Sequence, residues 1–290
     1  MRVRTVRDLA SLLEEPVDVL RAAGKRVPAR YRTQARPKRD GGTRTLAVPP
    51  QAIKRLQDKI GRRLVRTHWR VPVGVGPRDQ ATFVLEHTFG DDHASLDINA
   101  AFPSTTQPMV TLALVNRGLD MDAARFVVRI CCLGNELPQG SPSSPPLLDL
   151  VLAPVDRHLK KRATREATVY GRWVDNLYFS GRTGVSALAR EARARLNQLG
   201  YRIPRDRLRG LMADGSREVL GCLVSRDGAR VGEHKVRELF ERLSTLAPGD
   251  SASTLDASTR GLLAYVRRIN PLQASRILAA AGQPEDLGMG

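Results

Sequence analysis

The stretch Thr168–Ser180, TVYGRWVDNLYFS, places two short runs rich in β-branched and aromatic residues on either side of a polar pair. Such a pattern predicts two strands, 168–174 and 177–180, joined by a tight turn at Asp175 and Asn176. A carboxylate at that turn projects from one edge of a sheet. Seventy-eight residues earlier, Ala94-Ser-Leu-Asp-Ile98 reads as another short buried strand, and it too ends on a carboxylate, Asp97. Singly, each aspartate is more simply a turn former. If the two strands are neighbours, however, the carboxylates converge. A converging pair suits two Mg²⁺ ions about 3.5–4 Å apart, one activating a hydroxyl and one stabilising a leaving oxygen. Magnesium takes oxygen ligands, so no histidine or cysteine is required.

Working outward, Val6, Leu9, Leu12, Leu13, Val17 and Leu20 recur at helical spacing, with Pro16 placed to divide the segment into two helices. Asp40-Gly41-Gly42 reads as a hairpin turn between extended segments. From Gln51 to about Trp69, Ile53, Leu56, Ile60 and Leu64 form one stripe, and Lys54, Arg55, Lys59, Arg62, Arg63 and Arg66 form a cationic face. That face is equally compatible with plain solvation and with phosphate contact. Residues 107–132 read as helical, and 137–146 as a rigid loop. Pro145-Pro146 then open a helix to about Lys161. A helix over 185–199 closes at Gly200, residues 218–225 read as one strand, and 234–246, 257–268 and 271–281 read as helices separated by a loose 248–254 linker. Strands and helices do not alternate regularly, so the fold class expected is α+β rather than a parallel α/β sheet.

Charge narrows the function. The 290 residues carry a net +17, but residues 1–90 sum to +12, 91–160 to −3, 161–225 to +7 and 226–290 to +1. Basic flanks around an acidic middle suit an enzyme acting on nucleic acid, where walls hold phosphates and carboxylates hold metal. An arginine-rich genome would raise the total without making that contrast. Cys131, Cys132 and Cys222 have no metal-ligand spacing and are read as reduced core thiols. No run approaches the roughly 18 apolar residues of a membrane span, and Asp8, Glu14 and Glu15 interrupt any signal-peptide core, so a cytoplasmic protein without membrane partners is expected.

Five stretches, in order, resemble the retron-like branch of bacterial reverse transcriptases. They are PKRDGGTRTLAVPPQAIKRLQDKI (37–60), LDINAAFPST (96–105), LPQGSPSSPPLLDLVL (137–152), YGRWVDNLYFSG (170–181) and VLGCLVSRDG (219–228). The resemblance implies a right-hand polymerase. Fingers would span 1–95 with an inserted 107–145 region, the palm, an antiparallel sheet plus helices, 96–106 and 146–225, and a short helical thumb 226–290. It assigns Asp97, Asp175 and Asn176 to the catalytic metals, and Phe102 to a steric gate against a 2′-hydroxyl. Gln139 and Gly140 fall in the loop against nucleotide and template, and Lys38 and Arg44 among the triphosphate contacts. The implied reaction is two-metal copying of an RNA template into DNA from dNTPs. The implied template is a dedicated small non-coding RNA, and the implied setting antiphage defence.

The departures are equally specific. Asn176 stands where the family has a second aspartate, which predicts a raised Mg²⁺ requirement or a Mn²⁺ preference. Trp173 replaces the usual tyrosine. Of the branch's Asn-Ala-x-x-His only His87 remains, and Val219-Leu220-Gly221 stands for Val-Thr-Gly, two positions linked to partner-RNA handling. Arg205, Arg207 and Arg209 lie nearest a lysine that is missing. These changes keep two other readings open: a nucleic-acid-binding protein with reduced or lost polymerisation, and a polymerase adding nucleotides without a template.

Overall fold

Asp97 and Asp175 meet because their strands are direct neighbours in a four-stranded antiparallel sheet. The computed structural model describes residues 2–26, 31–37, 42–76, 79–203, 208–209, 215–246 and 255–287. Two short helices come first, α1 (Val6–Leu13) and α2 (Val17–Arg26), divided at Pro16. The first is closed by a capping box: the Asp8 amide donates to Thr5 Oγ1, and the Thr5 amide donates to the Asp8 carboxylate. Strands β1 (Arg32–Pro37) and β2 (Thr43–Val48) form the expected hairpin. Its turn residues Asp40 and Gly41 lie outside the described residues.

Helix α3 (Gln51–Lys59) runs into a π-helical stretch, Ile60–His68, where the periodicity predicts one continuous α-helix. Its buried residues, Ile60, Gly61, Leu64 and Val65, continue the apolar stripe of α3. Four of the six cations over 51–69 pair with carboxylates, Arg66 in a largely buried pair and Arg62 and Arg63 in exposed ones. Lys59 pairs with Glu15 at 2.5 Å, Arg63 with Glu14 at 2.7 Å, Arg66 with Asp149 at 2.5 Å, and Arg62 with Asp58. Lys54 and Arg55 stay exposed.

The chain continues through α4 (Gln80–Glu86), β3 (Asp92–Asp97), the single turn α5 (Ala101–Ser104), α6 (Gln107–Val115) and α7 (Met121–Cys131). Helix α8 (Ser144–Arg165) starts at the proline pair and runs four residues past Lys161. Then come β4 (Thr168–Trp173), β5 (Asn176–Gly181), α9 (Val185–Leu199) and the two-residue β6 (Leu208–Arg209). The spatial order is β4-β5-β3-β6, with α8 and α9 packed on the sheet.

The stretch 218–225 is not one strand. It is β7 (Arg217–Val219) and β8 (Cys222–Ser225), joined by Leu220 and Gly221 at φ 51° and 79°, and followed by β9 (Gly228–Val231). Two consecutive positive φ values make the two-residue hairpin turn whose twist suits paired strands. A leucine in the first of those positions hides the turn from a sequence reading. Helices α10 (Glu233–Ser244), α11 (Ala257–Ile269) and α12 (Pro271–Ala280) follow as expected, and the 248–254 linker lies outside the described residues.

Two apolar clusters support these elements. The larger joins the N-terminal helices, α6–α9 and one sheet face, including Leu96, Leu177 and Phe179. The smaller joins β7–β9 and α10–α12 with Phe83 and Val84 of α4 and with Tyr178. Alternation along β5 therefore sends Leu177 and Phe179 to one core and Tyr178 to the other. Cys131, Cys132 and Cys222 are buried free thiols. Among the described residues no helix is long and apolar enough to cross a membrane.

Candidate functional site

The turn between β4 and β5 is one residue earlier than the sequence suggests. Trp173 pairs with Asn176, so Val174 and Asp175 form the two-residue loop and Asn176 belongs to the ladder. Asn176 also lies directly opposite Asp97 on β3. The next rung is a backbone bond, from the Ile98 amide to the Asp175 carbonyl at 2.9 Å. Pairing thus fixes both aspartates and Asn176 at one end of the sheet. Val174 is driven to φ 57°, a left-handed conformation that a β-branched side chain resists at a cost of about 1–3 kcal/mol.

Electrostatics at this sheet end favour a cation. Burial raises the Asp175 carboxyl above the ordinary range, and the neighbouring Asp97 charge adds to that. Its own backbone N–H, a 2.9 Å bond donated by Asn176 Nδ2 to Oδ1, and the positive field of Arg44 oppose the rise. Two adjacent carboxylates and an amide oxygen form an oxygen-only donor set suited to a hard divalent ion. Among the described residues no third carboxylate, histidine or cysteine completes a cluster with them.

The other sequence candidates gather nearby in part. Gln139 accepts the Ala47 amide on its carbonyl at 2.6 Å, which docks the β1–β2 hairpin onto the 139–140 loop. Gly140 sits at φ 111°, and a Cβ there would lie 2.9 Å from the Ala47 carbonyl oxygen, so only glycine permits this approach. Arg44 lies on the same hairpin, exposed, close enough for its field to reach Asp175. Phe102 is on α5, half-buried, with part of its ring against the main core. Lys38, Arg205 and Arg207 lie outside the described residues, as does the side chain of Arg209.

Three residues that the sequence did not single out also belong here. Arg36 is the direct cross-strand partner of Arg44, so two guanidinium groups share one face of the hairpin. Like charges in that register repel, and an anion between them would relieve the repulsion. Gln57, fully buried, donates to Tyr31 Oη and to the Ile130 carbonyl, both at 2.7 Å, and accepts from Ser141 Oγ at 2.8 Å. It ties the hairpin base to the 139–141 loop. Arg172 lies under the Val174 turn. His87, by contrast, is 1% exposed, lies against Phe83 with the two rings tilted by 51°, and meets Ser180 Oγ at 3.0 Å. Burial drives its pKa down to about 3, with the nearby His93 adding to the drop, which keeps the ring neutral within the packing against Phe83 and Ser180.

Comparison with known proteins decides the family. The retron Mx65 reverse transcriptase of Myxococcus xanthus is 30% identical over 305 aligned positions, which cover 94% of this chain and 70% of that one. The chain belongs to the retron reverse transcriptases. A second member, the retron Ec86 reverse transcriptase of Escherichia coli, is 23% identical over 95% of this chain and 88% of its own length. No family model matches the chain. Among solved structures, a telomerase from Candida albicans superposes with a TM-score of 0.53 at 10% identity, over 90% of this chain and 57% of that one. An RNA-dependent RNA polymerase of a human picobirnavirus gives 0.52 at 14% identity, over 91% of this chain and 59% of that one. At such identities the likeness concerns the fold, and it makes this retron reverse transcriptase a right-hand α+β polymerase.

Proposed function

We propose that this chain is an RNA-directed DNA polymerase that extends a primer 3′-hydroxyl with dNTPs, using a dedicated small non-coding RNA as template. One observation carries the reading. The β3–β5 register sets Asp97 against Asn176 and beside Asp175, at the same site that Arg44 reaches from the hairpin docked on Gln139 and Gly140. Fingers at 1–95 with 107–145, a palm at 96–106 and 146–225, and a thumb at 226–290 are the division we adopt. Asp97, Asp175 and Asn176 would hold two Mg²⁺ ions, with Mn²⁺ preferred if the amide weakens the site. When bound, the ions supply Lewis-acid activation of the attacking hydroxyl and charge stabilisation at the leaving oxygen.

The chain's own groups do the rest. Arg44 with Lys38, joined by Arg36, attracts the triphosphate, for which a guanidinium offers a bidentate fork. Gly140 lets the loop backbone approach base and sugar, and the Phe102 ring fills the space of a 2′-hydroxyl. The basic flanks hold the template–primer backbone. A cytoplasmic location and a role in antiphage defence follow from the family and complete the proposal.

One observation favours a second reading, in which the protein binds nucleic acid and polymerises poorly. Asn176 brings no charge and its amide occupies a lone pair of Asp175. Purified protein with its co-purifying RNA, given labelled dNTPs or NTPs, separates the possibilities. RNA-dependent dNTP incorporation that is lost in Asp175→Ala supports polymerisation. Binding without incorporation supports the second reading, and incorporation that survives removal of the RNA indicates untemplated addition.

A further inference from the structure

Arg172 is 2% exposed, yet it carries a full charge into the floor beneath the Asp175 turn. Its Nε and Nη2 bind the Asp156 carboxylate at 3.0 and 2.7 Å, and Nη2 also reaches Asp149 Oδ1 at 2.8 Å. Asp149 is shared with Arg66 at 2.5 Å, and Asp156 accepts from Tyr170 Oη at 2.7 Å. Two arginines and two aspartates balance, so the cluster adds no net charge to the site above it. Burial opposes the guanidinium charge, and Asp156, followed by Asp149, more than offsets that opposition.

One nitrogen points elsewhere. Nη1 donates to the Val174 carbonyl oxygen at 2.5 Å. That oxygen belongs to the peptide plane that leads into Asp175, and Val174 is the residue held at φ 57°. On its far side Asp175 is gripped by the Ile98 amide. The Asp175 backbone is therefore clamped from both directions, one clamp being the ladder and the other the guanidinium.

We propose that Arg172 is a positioning residue for the polymerase site, which uses the buried Asp149–Asp156 pair as an anchor to hold the strained Val174 peptide and so aim the Asp175 carboxylate at Asp97. The proposal rests on the polymerase reading for its catalytic consequence, but the clamp itself is a property of the turn. Lysine at 172 keeps the charge and cannot span Asp156, Asp149 and the Val174 carbonyl together. Without the clamp, valine leaves the left-handed region and the turn opens. Glycine at 174 occupies that region without strain and depends less on the clamp.

The test is a double-mutant cycle of Arg172→Lys and Val174→Gly in the full chain, read two ways. Hydrogen exchange of the backbone amides over 173–177 reports the turn without metal or substrate. Single-nucleotide incorporation on a primed RNA reports kcat and KM. We expect Arg172→Lys to speed exchange over 173–177 at least 10-fold and to cut kcat at least 10-fold, with KM for dNTP within 3-fold of wild type. In the Val174→Gly background each effect should shrink at least 3-fold. If the two changes multiply independently in exchange, or if exchange over 173–177 is unmoved by Arg172→Lys, the clamp is refuted. Should Arg172→Lys fail to fold, Asp156→Asn releases the same guanidinium from its anchor and enters the same cycle under the same criteria. Wild-type protein that incorporates nothing while the exchange cycle holds would overturn the polymerase reading and leave the clamp standing.

Discussion

The Asn176 side-chain amide donates to Asp175 Oδ1 at 2.9 Å, so the residue standing where the family carries a second aspartate is bonded to the first. Restoring the carboxylate removes that bond and adds a charge beside Asp97 and Asp175. Asn176→Asp should therefore lower the Mg²⁺ concentration for half-maximal incorporation about 3- to 10-fold and reduce any advantage of Mn²⁺. Rates measured across a Mg²⁺ titration check this, and an unchanged titration would show that Asn176 does not limit metal binding.

The partly buried Asp175 carboxyl costs the metal-free fold stability. Its pKa is raised in the folded state, by burial first and then by Asp97, so the folded protein binds the proton more tightly than the unfolded chain. The stabilising contribution of the protonated form is complete below the unfolded pKa and is lost as pH rises through the folded one. At neutral pH the charged carboxylate is destabilising. Asp175→Asn should accordingly raise the melting temperature of the metal-free protein by roughly 2 °C at pH 7.5 and lose the advantage in acid. Added Mg²⁺ should stabilise wild type and not the variant. Melting curves at two pH values with and without metal measure all three effects.

Phe102, half-buried on α5, presents the remainder of its ring outside the main core. In the proposed gate, Phe102→Ala would open the space of a 2′-hydroxyl. The ratio of kcat/KM for dNTP to that for NTP should fall at least about 10-fold, in line with a discrimination worth ~1.4 kcal/mol or more. No gain in ribonucleotide use would remove the gate and leave Phe102 as a packing residue.

The carboxylate pair was legible because each aspartate closes a short apolar run, and strand neighbours bring such ends together. The register of the turn was not. Asp-Asn is a good turn sequence and Val-Asp is not, yet pairing of Trp173 with Asn176 and of Asp97 with Asn176 overrides local preference and leaves valine at positive φ. Leu220 hid the second hairpin in the same way. Arg172 was invisible because a strand arginine reads as exposed. A signal did exist: Asp149 and Asp156, two helical turns apart on the Leu148, Leu152, Val155 and Leu159 side of α8, demand a buried cation. Helix periodicity likewise found the buried stripe of α3 but could not foresee π-helical winding or the partners of its cations.

Gly140 is a close-approach residue as well as a flexible one. A methyl group there meets the Ala47 carbonyl oxygen at 2.9 Å, at a φ of 111° that disfavours any side chain. Gly140→Ala should push the β1–β2 hairpin off the 139–140 loop and move Arg44 away from the site. The expected result is a rise of at least about 10-fold in KM for dNTP with a smaller fall in kcat, because the lost interaction is one made in ground and transition states alike. Steady-state kinetics on a primed RNA distinguishes this from a fall in kcat alone.

The basic character of residues 1–90 divides into cations that hold the fold and cations that face solvent. Lys59, Arg63 and Arg66 are paired with Glu15, Glu14 and Asp149, while Lys54 and Arg55 are exposed one turn away on α3. Neutralising phosphate contacts releases counterions, so each lost contact flattens the plot of log affinity against log salt by about 0.7 to 0.9. The double substitution Lys54→Ala and Arg55→Ala should reduce that slope by about 1.5 with little change in melting temperature. Arg63→Ala should leave the slope alone, and, because its pair with Glu14 is largely solvated, should cost no more than about 1 kcal/mol. Filter binding of the template RNA from 50 to 300 mM salt gives both slopes; equal slopes for all variants would move the phosphate-binding wall away from α3 altogether.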